Sequence, residues 1–236
     1  MCNNLRMTAA SIRARVRAEL TDEIKTVARR HLATDGANLS LRAVARDLGM
    51  VSSALYRYFP SRDDLLTALI IDAYDTLGAT VEAADAAVAD RTDLRGRWRA
   101  SCHAVRDWAL ANPAEYALVY GSPVPGYEAP QDTVGPATRT PRVLLRILAD
   151  GAAAGLLAAG AADLPDPVRA DLARLRTDEL VDIPEPVLAR ATTAWIHLFG
   201  AVSFEVFGQL DNVFDARLAY FDHQLEVMAD LVGLPS

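Results

Sequence analysis

Two short apolar stripes flank a single glycine in the stretch "LSLRAVARDLGMVSSALYRYFPSRDDLL", Leu39 to Leu66. Leu41, Val44 and Leu48 recur at steps of three and four, and Leu55 and Phe59 stand four apart, so each stripe is one face of a helix. Neither helix is long enough to persist alone in water. Ser40 is a natural N-cap for the first. Gly49 ends it. The second, residues 52–58, is closed by Phe59-Pro60. Such helices must lie on longer neighbours. Leu20, Ile24, Val27 and His31/Leu32 form the stripe of one, which stops near Gly36. Ser61, with Asp63 and Asp64 in the following turn, opens another, whose stripe is Leu65/Leu66, Leu69/Ile70, Ala73, Leu77 and Val81.

The helical period continues to the C-terminus, and nothing in the N-terminal half alternates as a strand would. The expected fold class is all-α: an N-terminal three-helix helix-turn-helix domain with an arm, residues 1–66, and a C-terminal helical domain, residues 67–236. Leu94, Trp98, Cys102, Val105 and Trp108/Ala109 mark one helix that ends at Asn112-Pro113. "PAEYALVYG" is a short helix with Pro at its first position. Residues 122–141 hold five prolines and two glycines, which predicts a long loop or a cover. A helix then resumes at "RVLLRILADG", and residues 164–186 read as a linker containing one more short helix. In residues 186–210, Leu188, Trp195, Leu198/Phe199, Val202 and Val206 share a face. In residues 213–232, Phe214, Leu218, Phe221, Leu225, Met228 and Val232 step alternately by four and three, a seam that suits another long helix, either in the same chain or in a second copy.

The total charge of −7 argues against a chain that coats nucleic acid over its whole surface, but the charge is segregated. Residues 1–62 carry eleven Arg/Lys against five acids, a net +6, which leaves −13 to the remainder. That asymmetry is expected where one small module meets a polyanion. In a helix-turn-helix the second helix enters the major groove. Here that helix presents Ser52, Ser53 and Ala54 to base edges. Ser40, Arg42, Arg46, Tyr56, Tyr58 and Arg62 surround it as phosphate partners.

The same stretch resembles the DNA-binding signature of the TetR family (tetracycline-repressor-like regulators): an aliphatic-x-x-aliphatic-Ala helix, Gly-Val-Ser, a Leu-Tyr-x-aromatic-Phe helix and a basic residue in the next turn. The resemblance runs over residues 20–67 without a gap. The Ser that usually caps the recognition helix is Val51 here, so Ser52 is expected to cap it instead, and the usual Lys of the next turn is Arg62, which keeps the charge with a different geometry. Downstream, "NPAEYALVYGSPVPGY" and "WIHLFGAVSFEVFGQL" resemble a C-terminal class of the family named for a Trp-His-Gly motif, with Trp195, His197 and Gly200 close together. The resemblance implies a DNA-binding regulator, most often a repressor, a ligand cavity in the C-terminal domain and a homodimer formed through the last two long helices. On that basis the interface is expected to hold Trp195, Val202, Val206, Leu218, Phe221, Leu225 and Met228.

Trp98, His103, Trp108, Tyr116, Tyr120, Trp195 and Phe199 concentrate aromatic and imidazole groups on neighbouring helices, a candidate lining for a mostly apolar effector. Trp108, Tyr116 and Tyr120 lead this set, because the Pro-rich segment that follows them reads as a cover. The four histidines are scattered, and no HExxH, GxSxG, P-loop or dinucleotide fingerprint is present, so no catalysis, metal or cofactor is expected. No uninterrupted apolar run approaches the roughly 18–20 residues of a membrane span. The N-terminal stretch lacks the apolar core of a secretory signal, and the cytoplasm is the expected compartment. The rival reading is a helical protein that binds small molecules or proteins and does not bind DNA sequence-specifically.

Overall fold

A computed structural model describes residues 9–36, 39–158, 164–175 and 183–235. Arg6, Cys2 and part of the expected linker, residues 176–182, lie outside them. Among the described residues every regular element is helical. The chain forms two compact units: residues 1–72 with 114–131, and residues 73–113 with 132–236.

The first unit is built on α1 (Ala9–Asp35), α2 (Leu41–Asp47), α3 (Ser52–Leu55) and the start of α4 (Arg62–Ala87). Ile24, Val27, Ala28 and Leu32 of α1 pack with Leu41, Val44 and Ala45 of α2, Leu55 and Phe59, and Leu65, Leu66 and Leu69 of α4. Ser40 caps α2 as expected: its Oγ accepts from the Ala43 N–H at 3.4 Å. At the other end Gly49 takes φ +66°. Its N–H donates to the Arg46 carbonyl at 3.0 Å, and the Met50 N–H reaches back to Ala45 at 2.8 Å. This is the paired bonding of a left-handed helix end, and it turns the chain into α3.

Three expectations are corrected in this unit. The second short helix stops at Leu55, not Tyr58. The Arg57 and Tyr58 N–H groups donate three residues back, to Ala54 and Leu55, and this tighter turn delivers Phe59 to the core. Val51, not Ser52, occupies the N-cap of α3, with no side-chain cap bond, and Ser52 is the first helical residue. The Pro-rich segment is not one long loop. Residues up to 131 belong to the first unit, where Val124 and Tyr127 pack on its core and the Tyr127 hydroxyl lies 2.9 Å from that of Thr67. Beyond them, α7 (Val134–Ala137) and α8 (Arg139–Ala153) carry Pro136 and Pro141 within their first three residues, where a proline removes no intrahelical N–H bond. The remaining element of this unit is α6 (Pro113–Tyr120).

The second unit contains the end of α4, α5 (Leu94–Ala111), α7, α8, α9 (Asp166–Leu175), α10 (Glu185–Val206) and α11 (Arg217–Val232), with α5 packed against α8, α10 and α11. Its interior holds charge. Arg97 is 0% exposed; its Nε donates to Asp85 at 2.8 Å and its Nη1 to Asp150 at 2.7 Å, joining α4, α5 and α8. Arg106 clasps Glu205 of α10 with two parallel bonds of 2.7 and 2.5 Å. Such pairs are costly to break one-sidedly, because the partner is left buried and unpaired. By length and composition alone α10 could cross a membrane. Eight of its residues, Glu205 among them, are buried within this unit, as in a core helix.

Three outcomes follow. Asp85→Asn leaves buried Arg97 with Asp150 and weakens its bond to α4, which lowers stability by about 2 kcal/mol, a fall in unfolding temperature of about 4–8 °C in a thermal melt. The Asp85 carboxyl is pushed up by burial and pulled down by hydrogen bonds from Arg97 and Arg91, with a net fall below its ordinary 3.8; that of Glu82 is lowered by its bond from Arg139. Groups lowered on folding stabilise fully above their unfolded values and lose that contribution as pH falls through the folded ones. Melts should therefore hold steady down to about pH 5 and drop steeply below about pH 4. Gly49→Ala meets nothing within 4 Å, so its cost is the left-handed backbone alone, about 1 kcal/mol in the same melts.

Candidate nucleic-acid interface

Around the Gly49 turn the buried stripes of α2 and α3 leave a polar remainder facing solvent. Arg42, Arg46 and Asp47 are exposed on α2, and Val51, Ser53, Tyr56 and Arg57 on α3 and its flanks. Asp47 is engaged from behind: His31 Nε2 lies 2.8 Å from its Oδ2, tying α2 to α1. Ser40 spends an oxygen lone pair on the cap, which leaves its O–H free to donate to a phosphate. Arg42, Arg46 and Ser53, all expected contacts, are exposed, and Ser52, Ala54 and Arg62 are partly covered. Ser61 closes the opposite end. Its Oγ accepts from the Asp64 N–H at 3.1 Å and donates to the Asp64 carboxylate at 2.6 Å, which fixes the start of α4 and the position of Arg62.

Not every cation of the basic segment is available. Lys25 and Arg29 converge on Asp72 of α4 at 2.9 and 2.6 Å, so they brace the unit internally. Arg17 is legible in the sequence only as part of the charge total. Its Nη2 donates to the Arg57 carbonyl at 3.1 Å and its guanidinium sits 5.1 Å from the centre of the Tyr58 ring. It thus holds the turn after α3 against α1 and turns Tyr58 into a stacked support. Helix α1 begins at Ala9, well before the first apolar residue of its stripe; the alanines and arginines of that stretch, all good helix formers, are the signal for it.

The aromatic set expected to line an effector site is divided. Tyr116 and Tyr120 belong to the first unit, with ring centres 5.1 Å apart. Trp98, His103, Trp108, Trp195 and Phe199 belong to the second. There Trp195 and Phe199 meet edge to face at 5.9 Å, and His103 sits edge-on to Phe221 with Nε2 2.8 Å from Asp222. Trp98 and Trp108 are buried. The Trp98 indole N–H and the Ser101 hydroxyl, one turn apart on α5, are both buried without a hydrogen-bond partner. Burial pushes the Cys102 thiol above its ordinary 9.0, the opposite of an activated nucleophile.

The seam read on the last helix faces inward. Phe221, Leu225, Met228 and Val232, with Val202 of α10, are buried within the chain. Val202, Phe221, Leu225 and Met228, all expected at a subunit interface, are thus packed in the core of their own chain. Val206 is partly covered. The apolar side chains that α10 and α11 leave exposed are Trp195, Ile196, Phe204, Leu218, Val227 and Leu231.

Two family models match the chain: "Bacterial regulatory proteins, tetR family" over residues 24–69, and "Tetracyclin repressor-like, C-terminal domain" over residues 98–228. The HTH-type transcriptional regulators Rv1816 of Mycobacterium tuberculosis and Mb1846 of Mycobacterium bovis are each 43% identical over 216 residues, 89% of this chain and 88% of theirs. Among solved structures, the regulatory protein SCO4313 superposes with a TM-score of 0.72 at 36% identity, over 92% of this chain and 98% of that one. BioQ, solved with its double-stranded DNA operator, shares the fold at a TM-score of 0.52 and 20% identity, over 90% and 97% of the two chains. The exposed basic turn, the all-helical units and these matches agree: the chain belongs to the TetR family and is a DNA-binding transcriptional regulator, not an enzyme.

Proposed function

We propose that the protein acts in the cytoplasm as a homodimeric repressor, released from a pseudo-palindromic operator by a small, mostly apolar effector. The observation that carries the DNA side is the cluster of open donors around the Gly49 turn, set in a chain whose remaining residues are strongly acidic. Ser40, Arg42, Arg46, Tyr56, Tyr58 and Arg62 hold phosphates, and Ser52, Ser53 and Ala54 face base edges. Pairing through the exposed apolar residues of α10 and α11 sets two reading heads about one helical turn (roughly 34 Å) apart on the duplex.

The effector side rests on the second unit. Aromatic rings gather there, and the orphaned Trp98 N–H and Ser101 O–H lack the partner that buried donors ordinarily have. Arg97 and Arg106 are already neutralised by Asp85, Asp150 and Glu205. An acceptor oxygen on a neutral molecule suits those two donors better than a carboxylate does. Such a ligand releases DNA only insofar as it prefers the arrangement with the wrong head spacing.

Fluorescence anisotropy on a duplex selected from a random pool tests the DNA reading. Arg42→Ala or Arg62→Ala should weaken binding to all sequences alike and reduce the slope of log K against log salt by about 0.9 for each phosphate that is no longer neutralised. An unchanged slope in both variants contradicts it. Light scattering tests the pairing: the wild type should show twice the mass of one chain, and Ile196→Glu with Phe204→Glu should give a folded monomer.

A further inference from the structure

We propose that Val51 is a base-reading residue whose exposed isopropyl group packs on the C5 methyl of a thymine in the major groove. The assignment rests on the reading above, in which α3 enters that groove. Val51 is 70% exposed, more than any other large apolar side chain among the described residues. It precedes α3 with φ −71° and ψ 140° and forms no side-chain cap bond there, at a position that favours Ser, Thr, Asp or Asn. Neither packing nor helix capping therefore accounts for a valine. Local rules broken together at one exposed position point to function.

Its surroundings narrow the occupant. The other exposed side chains of α2, α3 and the turn after it are Arg42, Arg46, Asp47, Ser53, Tyr56 and Arg57. A lone aliphatic group in that setting does not form the contiguous apolar patch a protein partner uses. It does match the one apolar feature of the major groove, the thymine methyl, which is read by small apolar side chains. Ser52, Ser53 and Ala54 are shorter than valine, so Val51 is the largest apolar group at the tip of α3.

The test uses the full-length protein and a pool of random duplexes. Wild type should enrich a two-fold motif with a thymine at one position of each half-site. Replacing that thymine by deoxyuridine, which lacks only the methyl, should weaken wild-type binding about fourfold per half-site, the worth of one buried methyl. Val51→Ser should bind the two duplexes equally well while melting no lower than wild type, because serine supplies the missing cap. Val51→Thr, which keeps one methyl, should retain part of the discrimination. A thymine dependence that persists in Val51→Ser, or no thymine at which deoxyuridine matters to wild type, overturns the assignment alone. Failure of the wild type to enrich any motif overturns both the assignment and the DNA reading beneath it.

Discussion

The helices placed to meet DNA are seven and four residues long, and neither could hold its shape in water. They are fixed by burial: Val44 and Ala45 from one side of the turn, Leu55 and Phe59 from the other, all on a floor of α1 and α4 residues. The polar residues between those anchors point outward because the apolar ones point in. Loosening that small core would not merely destabilise the unit. It would also scatter the guanidinium and hydroxyl groups proposed to hold phosphates.

Charge is used in two ways in this chain. In the first unit Lys25 and Arg29 are drawn onto Asp72, and Arg17 onto the turn after α3, so some of the basic residues are structural, while Arg42, Arg46 and Arg57 face solvent. In the second, Arg97 and Arg106 are struts between helices, each matched by carboxylates. Those pairs fix which helices lie together more than they add net stability. They also leave Arg97 and Arg106 with no charge to spare, which favours a neutral molecule over an anionic one in the effector role proposed above.

The features that can be read in advance are local. Ser40, Gly49 and the stripes of α2 and α4 declare themselves within a few residues, because capping, a positive φ and burial each demand a particular residue type. The cap of α3 misleads for a local reason too: a serine beside a valine suggests the serine, whereas the chain places the valine at the boundary. The α11 stripe is plain in the sequence, but periodicity does not say whether a stripe meets its own chain or another; the structure turns Phe221, Leu225 and Met228 inward. Arg17 is invisible as a support, since its contacts with Arg57 and Tyr58 span some forty residues. The place of Tyr127 is hidden for the same reason: it reaches Thr67 by a contact that no short-range pattern encodes.

At the centre of the account stand two chains that present paired reading heads to one duplex. Native mass spectrometry of the protein saturated on a selected duplex addresses this most directly. Two chains per symmetric site, or four if such pairs bind side by side, is the stoichiometry expected. A complex that saturates with one chain per duplex would contradict it.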